Sequence, residues 1–337
     1  MNILGIESSC DETAISIINN NQILSHIISS QINQHRPYGG VVPEIAARNH
    51  VDIIDKLVTM AIKQANLTIS DIKLVAATGG PGLIGGVITS VMFAKGLSIA
   101  NNIPFCAINH LEAHALIARM TNPTLDFPFL LLLASGGHCQ ILVCLGVGQY
   151  LKYGATKDDS IGEAFDKTAK MLGLPYPGGP EIENIARDGD ATKYTLPSAM
   201  QHKNNCDFSL SGLKTAVKYL IDKIAKPLTN KQKSDIAASF QLSISNQIES
   251  RLNNAIIKFK SNYKTNKLVF AGGVAANTLL RNNITKLCKK HDFQLIVPSK
   301  EFCTDNGVMI AWAGYENYRI NNLNSLNFIP KSRWLLY

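Results

Sequence analysis

Seven cysteines are spread through this 337-residue chain without a single C-x-x-C pair. That sets aside a thioredoxin-type redox centre and the common thiolate zinc sites. Cys10, Cys106, Cys139, Cys144, Cys206, Cys288 and Cys303 sit mostly in apolar or motif-like runs and read as free thiols of a reducing compartment. Charged residues are sparse at 17% against 46% hydrophobic, a folded globular composition that excludes a disordered chain. No basic leader precedes the opening apolar run, and no stretch reads as a membrane span. The expectation is a soluble, cytoplasmic protein with no membrane partner. The length allows two domains with sizeable cores. The net charge of +8 suits a polyanionic partner, nucleic acid among others.

What the chain does have is H-x-x-x-H. The apolar run from Ile103 to Ile108 reads as a buried strand, and His110 and His114 follow on the first turn of a helix. Residues at i and i+4 share a helix face about 5–6 Å apart, which suits two imidazoles on one metal ion. The alternative is a pair of surface or capping histidines. The zinc-protease motif H-E-x-x-H is missing. Glu112 lies two residues after His110, about 200° around a helix, and so points away from the metal face. A third ligand must come from elsewhere. Asp305, which opens an apolar helix, is either that ligand or an ordinary helix cap.

Along the chain, Asn2–Glu7, Ala14–Ile18 and Ile23–Ile28 read as three strands. Asp11 and Glu12 lie in the turn between the first two. A helix starts at Pro43 with an apolar stripe of Ile54, Leu57, Val58, Ala61 and Ile62. Arg36, Arg48 and His50 fall outside that stripe and either bind phosphate or cap the helix. The glycine-rich turn Thr78–Gly86 is neither a Walker A loop nor a dinucleotide fingerprint. It faces an anion at a helix N-terminus or simply permits close packing. After the polar stretch Asn122–Asp126, the pattern of three strands and a helix recurs at Phe127–Leu133, His138–Leu145 and Tyr150–Ala155. This repeat of architecture implies two like domains facing each other across a cleft. The expected divisions are residues 1–125, residues 126–325 with a helical insertion at about 170–262, and a tail at 326–337. Ser135-Gly136-Gly137 reads as a tight hairpin whose amides form an anion nest. Asp166 sits on the following helix, and Asn277 within the first turns of a helix after Gly272-Gly273.

Gly5-Ile-Glu-Ser-Ser-Cys-Asp-Glu-Thr13, Tyr38–Glu44, His110-x-x-x-His114, Ser135–His138, Phe165–Lys167, Tyr176–Pro180, Phe208–Lys214, Gly272–Asn277 and Asp305–Gly307 occur in that order. As a set, running over all but about the last twenty residues, they resemble the universal tRNA threonylcarbamoyladenosine transferase family. Its bacterial members are called TsaD or Gcp and were once labelled O-sialoglycoprotein endopeptidases. The resemblance implies an α/β chain of the actin-like ATPase (ASKHA) fold, with two RNase-H-like domains around a central cleft. It implies one divalent metal per subunit, iron(II) with zinc as the alternative, on His110, His114 and Asp305. It implies threonylcarbamoyl-AMP on Leu133, Ala134, Ser135, Gly136, Gly137, Asp166, Gly179, Glu183 and Asn277, with Asp11 and Glu12 as acidic residues tied to catalysis. The implied reaction moves the threonylcarbamoyl group to N6 of adenosine 37 in tRNAs reading codons that begin with A, releasing AMP. The implied partners are tRNA, a non-catalytic paralogue (TsaB-like) and a P-loop ATPase (TsaE-like). The competing classes are an actin-fold small-molecule kinase or ATPase and, through the old label, a metalloprotease.

Overall fold

The structure is a computed structural model that describes residues 1–198 and 204–337. The chain divides into two compact units. The first comprises Met1–Asp126, Gly146–Gln149 and Pro298–Tyr337, and the second Phe127–Leu145 and Tyr150–Val297.

The first unit runs β1 (Asn2–Glu7), β2 (Glu12–Asn19), β3 (Gln22–Ser30), the single turn α1 (Ile32–His35), α2 (Pro43–Gln64), β4 (Ile72–Gly80), α3 (Ile84–Asn101), β5 (Phe105–Asn109) and α4 (His110–Thr121). The second runs β6 (Phe129–Ala134), β7 (Cys139–Gly146), β8 (Gln149–Ala155), α5 (Ile161–Met171), α6 (Gly178–Ala186), α7 (Ser211–Lys223), α8 (Asn230–Asn262), β9 (Lys267–Ala271), a 3-10 turn at Gly273–Ala276, α9 (Thr278–Lys290) and β10 (Gln294–Ile296). The helices α10 (Lys300–Cys303) and α11 (Gly307–Arg319) then return to the first unit.

Each unit is built on one five-stranded mixed sheet, ordered β3-β2-β1-β4-β5 in the first and β8-β7-β6-β9-β10 in the second. The two orders correspond strand for strand, so the repeat read from the sequence is a repeat of topology. β1 is antiparallel to β2 and parallel to β4, and β4 is parallel to β5. β1 is covered on both faces, and Ile3, Leu4 and Ile6 are all fully buried. It therefore reads as a continuous apolar run instead of an alternating one.

The chain beyond Pro298 departs from the expected domain division, which placed residues up to 325 in the second domain and set 326–337 apart as a tail. In the structure α11 packs on β1, β2 and β4 of the first unit. The contact depends on glycine, because a Cβ on Gly5 would lie 2.3 Å from the carbonyl oxygen of Gly307. The last residues strap the same unit. Lys331 N–H donates to Gly79 O at 2.9 Å, and the Asn109 amide donates to Trp334 O at 3.1 Å.

α3 is a second departure. Among the described residues it is the one helix long and apolar enough to cross a membrane, although no stretch was read that way from the sequence. Its Val87, Val91 and Ala94 join the core of the first unit, packed over β4 and α2. Ile84, Ile88, Met92 and Ile99 stay exposed and fall within about 80° of helix arc at 100° per residue.

Candidate metal centre

The parallel strands β1, β4 and β5 end side by side, since Ile6 is paired with Ala77 and Gly80 with Asn109. Groups placed just beyond the carboxyl ends of such strands converge on one spot. His110 is the first residue of α4. Asn109 caps that helix, its side-chain oxygen accepting from the N–H groups of Leu111 and Glu112. The cap fixes the angle at which the two histidines leave the sheet. His114 follows one turn later, and the rings meet edge to face with centroids 4.8 Å apart.

Asp305 closes the set. Its Oδ1 lies 3.1 Å from His114 Nε2 and 3.4 Å from His110 Nε2. The helix-cap alternative for Asp305 fails because the neighbouring Asn306 caps α11, accepting from Met309 N–H. Two imidazole nitrogens and one carboxylate oxygen within 4.8 Å of one another make the donor set of a catalytic zinc or non-haem iron(II) site, which keeps a coordination position open. His114 Nδ1, on the far side of the ring from Asp305, is buried and has no hydrogen-bond partner among the described residues. That ring is held only from its Nε2 side.

The electrostatics agree. Burial pushes the Asp305 carboxyl up, but both histidines outweigh it and hold the group far below the ordinary range. Burial pushes His110 down, and Glu7 and Asp305 together reverse this, raising it well above its usual value. A divalent cation would replace those protons, because metal binding and ligand deprotonation are linked.

The acidic pair lies in the same unit, with Asp11 in the turn and Glu12, expected in the turn as well, opening β2. Asp11 is buried, and its carbonyl accepts from Gln31 N–H at 3.0 Å. His50 braces the turn from below, lying 3.0 Å from Cys10 O through Nε2 and 2.7 Å from Thr13 Oγ1 through Nδ1. It is fully buried, so neither phosphate binding nor capping describes it. Arg48 pairs with Glu44 on the surface. Burial, the charges of Asp11 and Asp305, and a hydrogen bond to Asp11 push the Glu12 carboxyl up to about 9. The same causes raise the Cys10 thiol well above its ordinary value, which leaves it a poor nucleophile. Glu112 is buried and engaged elsewhere, accepting from Gly148 N–H at 2.6 Å with Asn317 Nδ2 at 3.5 Å.

In the second unit the residues singled out from the sequence lie at the end of β6, on α5 and α6, and at the start of α9. Leu133 and Ala134 close that strand. Ser135-Gly136-Gly137 forms the tight turn, with Ser135 N–H donating to His138 O at 2.8 Å. The Ser160 hydroxyl, which also caps α5, donates to Gly136 O at 2.5 Å, and Gly162 N–H donates to Ser135 O at 3.2 Å. The α5 terminus therefore holds the turn in shape. Gly272, at φ +90°, lies so close to the end of β6 that a Cβ there would be 2.3 Å from Ala134 O. Asp166 accepts from Gly178 N–H at 2.7 Å, while the space beside Gly179 is open.

Asn277 departs from the sequence reading. It is not inside a helix but is the N-cap of α9. Its oxygen accepts from Leu280 N–H at 3.0 Å and its amide donates to Gln241 at 3.1 Å. Glu183 accepts from Thr278 N–H at 2.9 Å, at the start of the same helix. Both side chains thus carry structural hydrogen bonds.

The sequence profile of the tRNA N6-adenosine threonylcarbamoyltransferase (TsaD) family matches residues 22–312. A relative of that name from Anaplasma marginale is 50% identical, over 99% of this chain and 98% of its own length. Another, from Paramagnetospirillum magneticum, is 49% identical over 100% of this chain and 97% of its own length. The chain belongs to the tRNA N6-adenosine threonylcarbamoyltransferase family. Among solved structures, the ROK hexokinase from Thermus thermophilus aligns with a TM-score of 0.52 at 13% identity, covering 95% of this chain and 100% of that one. At that identity the likeness shows the actin-like ATPase fold and nothing about substrate.

The sequence reading of this threonylcarbamoyltransferase-family chain missed the support behind the candidate metal ligands. Glu7 is fully buried at the end of β1, 3.0 Å from His110 Nδ1. Its only mark in the sequence is a carboxylate closing an apolar run.

Proposed function

We propose that this chain transfers a threonylcarbamoyl group from threonylcarbamoyl-AMP to N6 of adenosine 37 in tRNAs reading codons that begin with A. The observation that carries the proposal is the His110–His114–Asp305 trio, beside an acidic pair whose Glu12 feels the Asp305 charge, in a chain of this family.

His110, His114 and Asp305 would hold one iron(II) or zinc ion. When bound, the ion supplies Lewis acidity and a fixed positive charge toward phosphate or carbonyl oxygen. The rest falls to the chain's own groups. The donor is a mixed anhydride, so the carbonyl carbon is reactive and AMP is a stable leaving group. The acceptor is weak, because the lone pair of the N6 amine is delocalised into the purine. A new C–N bond forms to N6, the C–O bond to the phosphate breaks, and the amine loses a proton. Asp11 takes or orients that proton, a role worth about 10²–10⁴-fold in rate. Glu12, with its carboxyl pushed up to about 9, keeps a proton at neutral pH and offers a donor where Asp11 offers an acceptor.

The turn Leu133–Gly137 presents backbone N–H groups to the donor's charged oxygens. Asp166, Gly179, Glu183 and Asn277 bind the adenylate from the surrounding loops. Support for this assignment comes from the hydrogen bonds that fix those loops. The +8 net charge suits docking of a tRNA. The exposed stripe Ile84, Ile88, Met92 and Ile99 of α3 is the surface we assign to a shorter non-catalytic paralogue, with a P-loop ATPase as the third component. Phe93 and Leu97 of the same helix pack against the core of the first unit.

The test is mass spectrometry of tRNA nucleosides after depletion of this protein. Restoring the wild type should return threonylcarbamoyladenosine, and restoring a His110→Ala/His114→Ala double variant should not. Full recovery with the double variant would reject the metal-dependent reading.

A further inference from the structure

Glu7 is a carboxylate at zero exposure, at the end of the central strand of a hydrophobic sheet. Burying such a charge costs several kcal/mol unless it is paired and hydrogen-bonded. An apolar residue at the end of β1 would serve the core as well. Both oxygens of this carboxylate are engaged. Oε1 accepts from Ser9 N–H at 2.5 Å, and Oε2 accepts from the Thr78 hydroxyl at 2.5 Å. Those two bonds leave Oε2 lying 3.0 Å from His110 Nδ1. The Ser9 hydroxyl is a more distant neighbour of the same nitrogen, at 3.2 Å. The other nitrogen of the ring, Nε2, is the one that faces Asp305. His114, by contrast, has no partner on its Nδ1.

We propose that Glu7 is a positioning residue for the metal centre, one that fixes His110 as the Nδ1–H tautomer and turns its Nε2 lone pair toward the ion. This inference rests on the metal reading above and deepens it. A ring nitrogen that donates to a carboxylate is fixed in tautomer and made a stronger base at its other nitrogen, and such partners are worth about 10–100-fold in metal affinity. The fold explains how the contact arises. β1, β4 and α4 supply Glu7, Thr78 and His110, and the parallel pairing of β1 with β4 holds the first two at one end of the sheet. The buried Thr78 hydroxyl is thus the clamp, Glu7 the arm and His110 the part that is aimed. Among the described residues His114 has no counterpart to this arm on its Nδ1, so the centre has one imidazole braced at both nitrogens and one held only at Nε2.

Zinc is the probe, followed by competition against a chromophoric chelator on the full-length chain. Glu7→Gln keeps the shape and one acceptor but loses the charge, and should weaken zinc binding about 10–100-fold. Ser9→Ala should change it less than about threefold, because the more distant hydroxyl is dispensable. Glu112→Gln, on the same helix but away from the trio, should leave it unchanged. Nitrogen-15 NMR of the wild-type histidine rings gives a readout independent of any variant. In the zinc-loaded protein His110 should carry its proton on Nδ1 and bind through Nε2. Zinc on Nδ1, or an affinity in Glu7→Gln equal to wild type, would overturn the proposal. The wild-type spectrum decides even where Glu7→Gln fails to fold by circular dichroism. His110→Ala separates the two readings. If it still binds zinc stoichiometrically, the metal centre itself is misassigned. If it loses zinc while Glu7→Gln binds normally, only the role of Glu7 falls.

Discussion

Replacing Glu12 by glutamine should remove one component of the pH dependence of stability. The Glu12 carboxyl is pushed up to about 9 from an ordinary 4.5 by burial, by the Asp11 and Asp305 charges and by its bond with Asp11. Its folded-state pKa therefore lies above its unfolded-state value. The folded chain keeps a proton that the unfolded chain releases. The associated stability is complete below about pH 4.5 and drains away as pH rises toward 9. At about 1.4 kcal/mol per pH unit, the loss between pH 4.5 and 7 has a ceiling of about 3 kcal/mol. Part of the carboxyl meets solvent, which brings the observed value below that ceiling. Glutamine is neutral throughout and carries no such slope. The assay is urea unfolding at pH 5, 6, 7 and 8 with a chelator present, because a cation near Asp305 would cancel much of the repulsion. The chain has two tryptophans, Trp312 and Trp334, and both lie in the first unit, so their emission reports that unit alone. The stability of Glu12→Gln relative to wild type should grow with pH, by up to about 1.4 kcal/mol per unit. Parallel curves for the two proteins would refute the argument, and the proposed proton on Glu12 with it.

Asp11→Asn should lower single-turnover tRNA modification at least about tenfold while the dissociation constant of threonylcarbamoyl-AMP moves less than about threefold, since only a transition-state interaction is lost. Calorimetry beside rapid-quench assays separates these, and equal losses in rate and affinity would reassign Asp11 to substrate binding. Asp166→Ala frees the Gly178 N–H it now satisfies and should weaken adenylate binding first. A rate defect at unchanged affinity would contradict this. Glu112→Gln should leave modification activity largely intact, given the partners of Glu112 away from the metal trio. Glycopeptide cleavage by the purified protein, abolished by that substitution, would revive the protease reading. Met92→Glu, at a site 56% exposed, should abolish co-elution with the non-catalytic paralogue while the circular dichroism spectrum stays unchanged. Persistent co-elution would exclude this face of α3.

Local patterns carried the parts of this molecule that depend on local physics. His110 and His114 were legible because a helix brings i and i+4 together whatever surrounds it, and the starts of β1 and α2 were legible from apolar runs and Pro43. Asp305 was ambiguous for a physical reason. An acidic residue before an apolar helix has the composition of a cap, and only the φ/ψ of the chain decides whether it or its neighbour does the capping. Here Asn306 caps and Asp305 is released to face the histidines. Asn277 erred in the opposite direction. The segment before it, Gly273–Ala276, forms a 3-10 turn that delays the helix, so a residue expected in the first turns became the cap. The return of α11 to the first unit was invisible because nothing in an apolar helix names the sheet it will cover. That choice was written in Gly5, three hundred residues away, whose missing side chain is what admits the helix backbone. Glu7 belongs to the same class. Its neighbours in sequence make it an anomaly, and its neighbours in space, Thr78 and His110, give it a purpose. A charged residue closing a buried central strand is costly enough that folding alone does not account for it. Such residues mark where a sheet has been made to support chemistry, and they become readable once strand order is known.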